Sequence, residues 1–245
     1  MTRSAWFCIA LIVCVAPFTA TAADTWFSHA QLIDGLGNTP VRAVNLRVSD
    51  GRIAEITAAA DQPGAIDLQG AFLLPGYIDA HSHIEDPASA KRALMGGVTT
   101  ARVLGDAYLK AMATRDLVRG GYVQGPEMLV SGGHVRPRLG EAFILSFPQF
   151  GQYLDAPLQG PDNVAAVVRA VVARGADVIK VGASERAGLA YTDPRRQELS
   201  YEELRAAVQE AAKTGLYVAA HAHDRHGANA AVRAGVRSIE HGTYL

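Results

Sequence analysis

Cysteine is nearly absent from this 245-residue chain and occurs only at Cys8 and Cys14. If the segment that holds them is removed, the remaining chain can form no disulfide, no thiolate nucleophile and no cysteine-based zinc site. The chain also has almost no net charge, because its 23 Lys and Arg residues nearly balance its 24 Asp and Glu residues. With no long basic run, nothing in the sequence indicates a nucleic-acid partner. Any chemistry must come from His, Asp, Glu and Lys.

Long apolar runs are limited to the N-terminus. Arg3 precedes residues 6–16, which read WFCIALIVCVA, and the small residues at 20–23 offer a signal-peptide cleavage site. The run is about half of the ~20 residues that a membrane span needs. We therefore expect residues 1–22 to be a cleaved secretory signal peptide and not a stable membrane anchor. The mature chain is expected to be exported, either to the periplasm or out of the cell.

The rest of the sequence is typical of a globular protein, since 49% of the residues are hydrophobic and 19% are charged. Residues 24–70 contain short β-prone runs, and Asp50-Gly51 between two of them predicts a β-hairpin. From residue 71 to residue 245 strands alternate with helices, which predicts a parallel α/β architecture. An open doubly wound sheet is the alternative, although no Gly-x-Gly-x-x-Gly motif follows the first of these strands.

Local signals locate individual elements in the α/β region. Residues 72–78 read as a strand, and valines at helical spacing predict a helix over residues 163–174. Ser200 and Glu203 have the spacing of a capping box, which predicts a helix directly after Ser200. Residues 136–160 fit neither period and are rich in proline and aromatic residues. We expect them to form a lid or a substrate-contacting insertion.

Seven of the eight histidines lie in the β-α region, mostly at or just past the C-terminal end of a predicted strand. Active sites of parallel α/β folds are assembled at that edge. His81 and His83 are separated by one residue, so their imidazoles share one face of an extended segment. His221 and His223 repeat this spacing, and His241 ends a further strand. Imidazoles at three strand ends predict a metal site of the zinc type.

Lys180 lies inside the apolar strand segment Val178–Val181. A buried ammonium group without a partner is unfavourable and tends to lose its proton. One interpretation is a lysine that reaches solvent or pairs with an acid. The other is a neutral amine that has taken up CO2 as a carbamate, which would be an anionic ligand able to bridge two cations.

Five segments form an ordered set of motifs: LPGYIDAHSH (74–83), GVTT (97–100), DVIKVGAS (177–184), VAAHAH (218–223) and SIEHG (238–242). As a set they resemble the amidohydrolase superfamily, and within it the imidazolonepropionase-like branch that contains Xaa-Pro dipeptidases. The resemblance implies a (β/α)8 TIM-type barrel with a flanking β-sandwich. Residues 24–70 would then be the N-terminal part of the sandwich, and residues 71–245 would hold barrel strands one to six.

The resemblance also implies a cofactor, namely two divalent metal ions, with zinc as the first candidate. A metal-bridging hydroxide would attack an amide carbonyl, because two cations lower the pKa of bound water and polarise the carbonyl. Lys180, carboxylated by CO2, would bridge the two ions. The more buried ion would take the first pair of histidines and the second ion the last pair. The implied metal ligands are His81, His83, Lys180, His221 and His241.

His134 and His223 match positions that face the substrate in the family and can hold its carboxylate. For His223 a supporting hydrogen bond is the alternative. Xaa-Pro-specific relatives carry a tyrosine at the position of His223, so we expect another C-terminal residue in the substrate. The implied substrate is a small amide, either a dipeptide or an N-acyl amino acid. A homo-oligomeric full-length form is compatible with the resemblance.

The family's last metal ligand and general base is an Asp at the end of strand eight, whereas this sequence stops at Leu245, after strand six. Asp106 and Asp224 are the nearest acids, and neither takes the role of base. We therefore expect a fragment of a longer enzyme and no appreciable activity from these 245 residues alone. Two alternatives stay open: a single-metal cyclic-amide hydrolase, against which Lys180 argues, and a non-catalytic metal-binding relative.

Overall fold

The structure is a computed structural model that describes residues 24–37, 41–106 and 108–245. The expected signal peptide over residues 1–22, with both cysteines, lies outside the described residues. No helix in the described part of the chain is long and apolar enough to cross a membrane. The described residues divide into two compact units, one ending at Pro75 and the other beginning at Gly76.

The first unit is a single five-stranded sheet. Its strands follow the order β3-β2-β1-β4, and β5 also pairs with β1. The predicted hairpin at Asp50-Gly51 is confirmed, since it joins two antiparallel strands and both residues have positive φ, 49° and 70°. A small apolar core forms around Ala30, Leu32 and Val44. The strands are β1 (Thr25–Leu32), β2 (Arg42–Ser49), β3 (Arg52–Ala58), β4 (Ile66–Asp67) and β5 (Phe72–Leu73).

The second unit alternates strands with helices, as predicted. Its strands are β6 (Tyr77–Ser82), β7 (Val98–Val103), β8 (Glu127–Val130), β9 (Ile179–Gly182), β10 (Val218–Asp224) and β11 (Ser238–Tyr244). Its α-helices are α1 (Pro87–Met95), α2 (Tyr108–Arg119), α3 (Glu141–Ser146), α4 (Pro161–Ala173), α5 (Tyr201–Ala212) and α6 (Arg225–Ala234), and a 3-10 helix covers Pro148–Tyr153.

The six strands of this unit are parallel and lie side by side in chain order. Strands β6, β7 and β8 form one ladder, and β9, β10 and β11 form another. The two ladders meet where the Asp177 amide donates to the Val130 carbonyl at 2.9 Å and where Val135 bridges to Val181. In a doubly wound sheet the strand order reverses at a switch point, whereas the order of these six strands does not reverse. The unit therefore has the α/β architecture of a (β/α)8-type barrel.

Local sequence signals explain the helices that cover this sheet. The valine stripe of α4 is buried as predicted, with Val164, Val167 and Val168 at 0% exposure. The predicted capping box opens α5: the Glu203 amide donates to Ser200 Oγ at 3.2 Å, and the Ser200 amide donates to Glu203 Oε2 at 2.8 Å. These contacts satisfy amide groups that the first helical turn leaves free.

Two sequence-based expectations differ from the structure. Residues 72–78 form not one strand but two, because the break falls at Pro75, which lacks an amide donor, and at Gly76, whose Cα packs against Thr99. Residues 136–160 are not irregular throughout, since they contain α3 and the 3-10 helix. Phe147, 0% exposed, joins the main apolar core of this unit and stacks on Phe143 at 4.7 Å between ring centroids.

Candidate active site

Every side chain that the sequence predicted for the site lines one cavity of about 390 Å3 at the carboxyl ends of the strands. His81 lies near the end of β6 and His83 directly follows that strand, while His134 lies in the loop after β8. The other members come from the next three strands. They are Lys180 on β9, His221 and His223 on β10, and His241 on β11. Parallel strands in chain order bring these distant residues together.

The imidazole rings are packed at the spacing of shared metal ligands. The ring centroid of His241 lies 4.6 Å from that of His221 and 4.8 Å from that of His81, and the rings of His81 and His83 are 5.4 Å apart. Two imidazoles that bind one zinc ion at ~2.0–2.1 Å have ring centroids about 5 Å apart. In the described residues, no three His, Cys, Asp or Glu side chains converge as a ready metal site. The rings are therefore of the donor type that zinc takes and lie at pairwise spacings close to those of shared ligands, and Lys180 lines the same cavity.

Lys180 lines the same cavity, and its side chain is unusual in its surroundings. The residue is 2% exposed, and Nζ has no hydrogen-bond partner in the described part of the chain. Burial lowers the pKa of this amine to about 8, although the nearby Glu240 carboxylate acts in the opposite direction. About a tenth of the amine is therefore neutral at pH 7, far more than for a lysine with its ordinary pKa, and a neutral amine can react with CO2.

Three of the histidines are held in the neutral state that metal binding requires, namely His81, His221 and His241. Burial, together with the charge on His241, lowers the pKa of His221 to about 3. Burial, together with the charge on Lys180, lowers the pKa of His241 to about 4. The pKa of His81 is lowered in the same way, by burial first and by Lys180 second. At neutral pH these rings keep a free nitrogen lone pair for a cation.

Carboxylates orient the first two histidines. Glu240 Oε2 lies 2.8 Å from His81 Nδ1, and Asp106 Oδ1 lies 2.6 Å from His83 Nδ1. Each carboxylate accepts a hydrogen bond from the Nδ1–H group, so that Nε2 is left for a metal ion, the arrangement that fixes tautomer and ring orientation in metalloproteins. Arg102 donates to Glu240 Oε1 at 2.7 Å, so the carboxylate is itself held in place.

These supporting groups could not be recognised from the sequence. Asp106 was considered only as a possible base, and neither Arg102 nor Glu240 was among the predicted site residues. Glu240 directly precedes His241, so alternation along a strand points its side chain away from that histidine, and only the fold brings it to His81. Burial raises the pKa of Glu240, but hydrogen bonds from Ser238 and His81 outweigh burial and lower it.

The remaining histidines differ in their surroundings. His223 Nδ1 lies 2.9 Å from Thr243 Oγ1, and the His223 amide donates to Ser184 Oγ at 2.8 Å. Nε2 of His134 is buried and has no hydrogen-bond partner among the described residues. His241 adopts a left-handed backbone with φ 73° inside β11. That conformation costs a non-glycine residue about 1–2 kcal/mol, and strain of this kind is typical of functional sites.

Apolar and cationic side chains line the cavity together with the histidines. Leu139 and Phe143, from the segment predicted to be an insertion, are apolar lining residues, as is Leu104. Arg136 and Arg186 line the same cavity with positive charge. A cavity lined by apolar side chains, two arginines and a cluster of imidazoles suits a small polar molecule with an apolar part.

Comparison with known proteins gives the family. The sequence profile described as Amidohydrolase family matches residues 72–245, more than half of the chain. The chain belongs to the amidohydrolase family. The fold and family expected from the five motifs are thereby confirmed.

Three relatives illustrate what this amidohydrolase is similar to. Ochratoxinase from Aspergillus niger is 30% identical over 92% of the chain, and the alignment covers 56% of that enzyme. N-acyl-D-aspartate deacylase from Alcaligenes xylosoxydans xylosoxydans is 29% identical over 80% of the chain and 36% of that enzyme. A crystal structure of a Xaa-Pro dipeptidase with bound methionine has a TM-score of 0.75 and 28% identity, covering 90% of this chain and 62% of that one. The chain spans 56% of the ochratoxinase and 62% of the Xaa-Pro dipeptidase, which is less than two thirds of either relative.

Proposed function

We propose that this amidohydrolase cleaves the amide bond of a small N-acyl amino acid or dipeptide at a site that holds two divalent metal ions. One observation carries the proposal: a buried lysine without a hydrogen-bond partner lies beside a cluster of neutral imidazoles in a single cavity. The related ochratoxinase, deacylase and Xaa-Pro dipeptidase support the substrate class.

Five side chains would hold the ions. The neutral Lys180 amine would form a nitrogen–carbon bond to CO2 and release one proton, which gives an anionic carbamate with two oxygen ligands. A carbamate suits this position because the amine is buried beside neutral imidazoles. Cations bound by those imidazoles would also be bound by the carbamate oxygens and would balance its charge. When bound, two zinc-type ions would polarise the amide carbonyl and lower the pKa of a water between them. The proposed ligands are His81, His83, Lys180, His221 and His241.

The chain's other residues would position the reacting groups. Glu240 and Asp106 hold His81 and His83 in the tautomer that presents Nε2. His134, with a buried nitrogen that lacks a partner, is suited to hydrogen-bond a polar atom of the substrate. The apolar side chain of Phe143, which lines the cavity, would displace water there and so strengthen electrostatic interactions with the substrate.

Metal counting with and without bicarbonate tests the binuclear site. Protein stripped with a chelator is dialysed against zinc, with or without added bicarbonate, and bound zinc is counted by mass spectrometry. We expect two ions per chain with bicarbonate and fewer without it, together with a carbamate carbon signal in NMR after labelling with ¹³C-bicarbonate. Lys180→Met should lose the signal and at least one ion, whereas Lys91→Met, an exposed lysine on α1, should lose neither.

Ligand binding tests amide recognition independently of turnover. An N-acyl amino acid hydroxamate, which mimics an amide and chelates metal, should bind to the zinc-loaded protein and not to the chelator-treated protein. Turnover of N-acyl amino acids and dipeptides is then measured on the same samples. One zinc ion per chain that is independent of bicarbonate would favour a single-metal cyclic-amide hydrolase. The absence of both zinc and hydroxamate binding would contradict the proposal.

A further inference from the structure

A second cavity adjoins the active-site cavity and shares two arginines with it. The second cavity has a volume of about 420 Å3, and Arg136 and Arg186 line both cavities. Arg136 belongs to the segment that follows β8, and Arg186 belongs to the segment that follows β9. Both guanidinium groups therefore lie at the same edge of the sheet as the histidines. Neither arginine has a role in the proposed binding of metal.

Positive charge predominates in the second cavity. Four arginines and two glutamates line it. Glu185 is already paired with Arg196 at 3.1 Å, so that pair is neutralised. Within the described residues, no carboxylate lies at ion-pairing distance from Arg136 or Arg186. Arg136 and Arg186 thus line the cavities without an ion pair of their own, and the nearby Glu198 carboxyl acts on both of them only electrostatically.

Glu198 does not supply the missing counter-ion. Its Oε2 is buried and has no hydrogen-bond partner in the described part of the chain. Burial raises the pKa of this carboxyl to about 7, which reduces its negative charge near neutral pH. A Cβ at Gly182 would collide with the Glu198 carboxyl and with Arg136, so the glycine at the end of β9 allows these groups to pack there. Glu198 is consequently a neighbour of the arginines and not an ion-pair partner.

Arginine is suited to bind a carboxylate because its planar guanidinium presents two parallel donors and stays charged. A carboxylate held by Arg136 and Arg186 would lie beside the histidine cluster and not inside it. The two adjoining cavities, of about 390 and 420 Å3, offer room for a ligand that reaches from one to the other. The ligand therefore needs an amide in the first cavity and an anionic group at the second.

We infer that the second cavity binds a side-chain carboxylate, and that the substrate is an amide of an acidic amino acid such as an N-acyl-aspartate or N-acyl-glutamate. This inference rests on the proposed amide hydrolase function and adds a substrate class to it. The α-carboxylate is common to all N-acyl amino acids, so only the second carboxylate distinguishes this class.

The test compares two ligands that differ only in side-chain charge. Racemic N-acetylaspartate and racemic N-acetylasparagine are titrated calorimetrically into the zinc-loaded protein. We expect N-acetylaspartate to bind at least about tenfold more tightly, as a charge-assisted contact predicts. Arg186→Gln should reduce this preference to less than about threefold and leave the affinity for N-acetylasparagine unchanged. Arg205→Gln, an exposed arginine on α5, should retain the full preference.

A second measurement on the unmodified protein does not depend on any variant. The preference for N-acetylaspartate should decrease when sodium chloride is raised, because salt screens the interaction of partly exposed charges. Equal affinity for the two ligands would refute the acidic subsite and leave the amide hydrolase function standing. Binding of neither ligand would refute both.

Discussion

Replacing Lys180 with methionine should stabilise the metal-free protein at neutral pH. The amine is 2% exposed and has no hydrogen-bond partner among the described residues, so its charge is poorly solvated. A fall in pKa from 10.5 to about 8 corresponds to about 3 kcal/mol of unfavourable free energy in the charged form. Methionine keeps most of the stem volume and carries no charge. Lys180→Met is therefore expected to raise the free energy of unfolding by about 3 kcal/mol at pH 7.

The pH dependence of this gain has a definite sign. Below pH 8 the lysine is charged in both the folded and the unfolded state, so the cost is fully present. Between pH 8 and 10.5 the folded state releases its proton first, the unfolded state binds more protons, and stability rises with pH. The advantage of Lys180→Met should thus fall below about 1 kcal/mol at pH 10.

Urea unfolding of chelator-treated protein in CO2-free buffer at pH 7 and pH 10 measures both quantities. Lys91→Met, on the exposed face of α1, is the matched control and should change stability by less than about 0.5 kcal/mol. A Lys180→Met variant no more stable than the unmodified protein at pH 7 would refute the reasoning. An advantage of unchanged size at pH 10 would also refute it, because the gain would then come from packing and not from charge.

Three further substitutions test other parts of the structure. Asp106→Asn should weaken zinc binding by about 10–100-fold, because His83 Nδ1 loses its anionic partner. Competition with a chromophoric chelator measures the zinc affinity. Gly227→Ala should lower the free energy of unfolding by about 2–3 kcal/mol in urea, because the new methyl group would clash with the Ala183 carbonyl oxygen. Ser200→Ala removes the cap of α5 and should cost about 1 kcal/mol in the same assay, whereas an unchanged midpoint would contradict the capping box.

Much of the barrel unit could be predicted because its signals are local. The stripe of buried valines in α4 and the capping box of α5 depend on residues three or four positions apart. The histidine cluster could be predicted for another reason. Parallel strands place their carboxyl ends at one edge of the sheet. His81 and His241 therefore lie close together although 160 positions separate them in the sequence.

The supporting contacts could not be predicted, because they depend on side-chain directions between distant strands. Glu240 contacts His81 across the site, and Arg102 joins the same carboxylate from β7. These three residues lie on different strands, so no helical or strand periodicity in the sequence predicts that they meet. The buried carboxyl of Glu198 could not be predicted for a similar reason, since it occupies space that a side chain at Gly182 would fill.

Because His241 has a left-handed backbone, folding stability and metal binding favour different residues at this position. Glycine adopts φ 73° without steric cost, so His241→Gly would relieve about 1–2 kcal/mol of strain while removing an imidazole from the cluster. A mutational library sorted for cellular abundance alone should therefore enrich glycine at this position, and the same library sorted for zinc retention should deplete it. Opposite enrichment in the two sorts would locate the functional centre without any knowledge of its substrate.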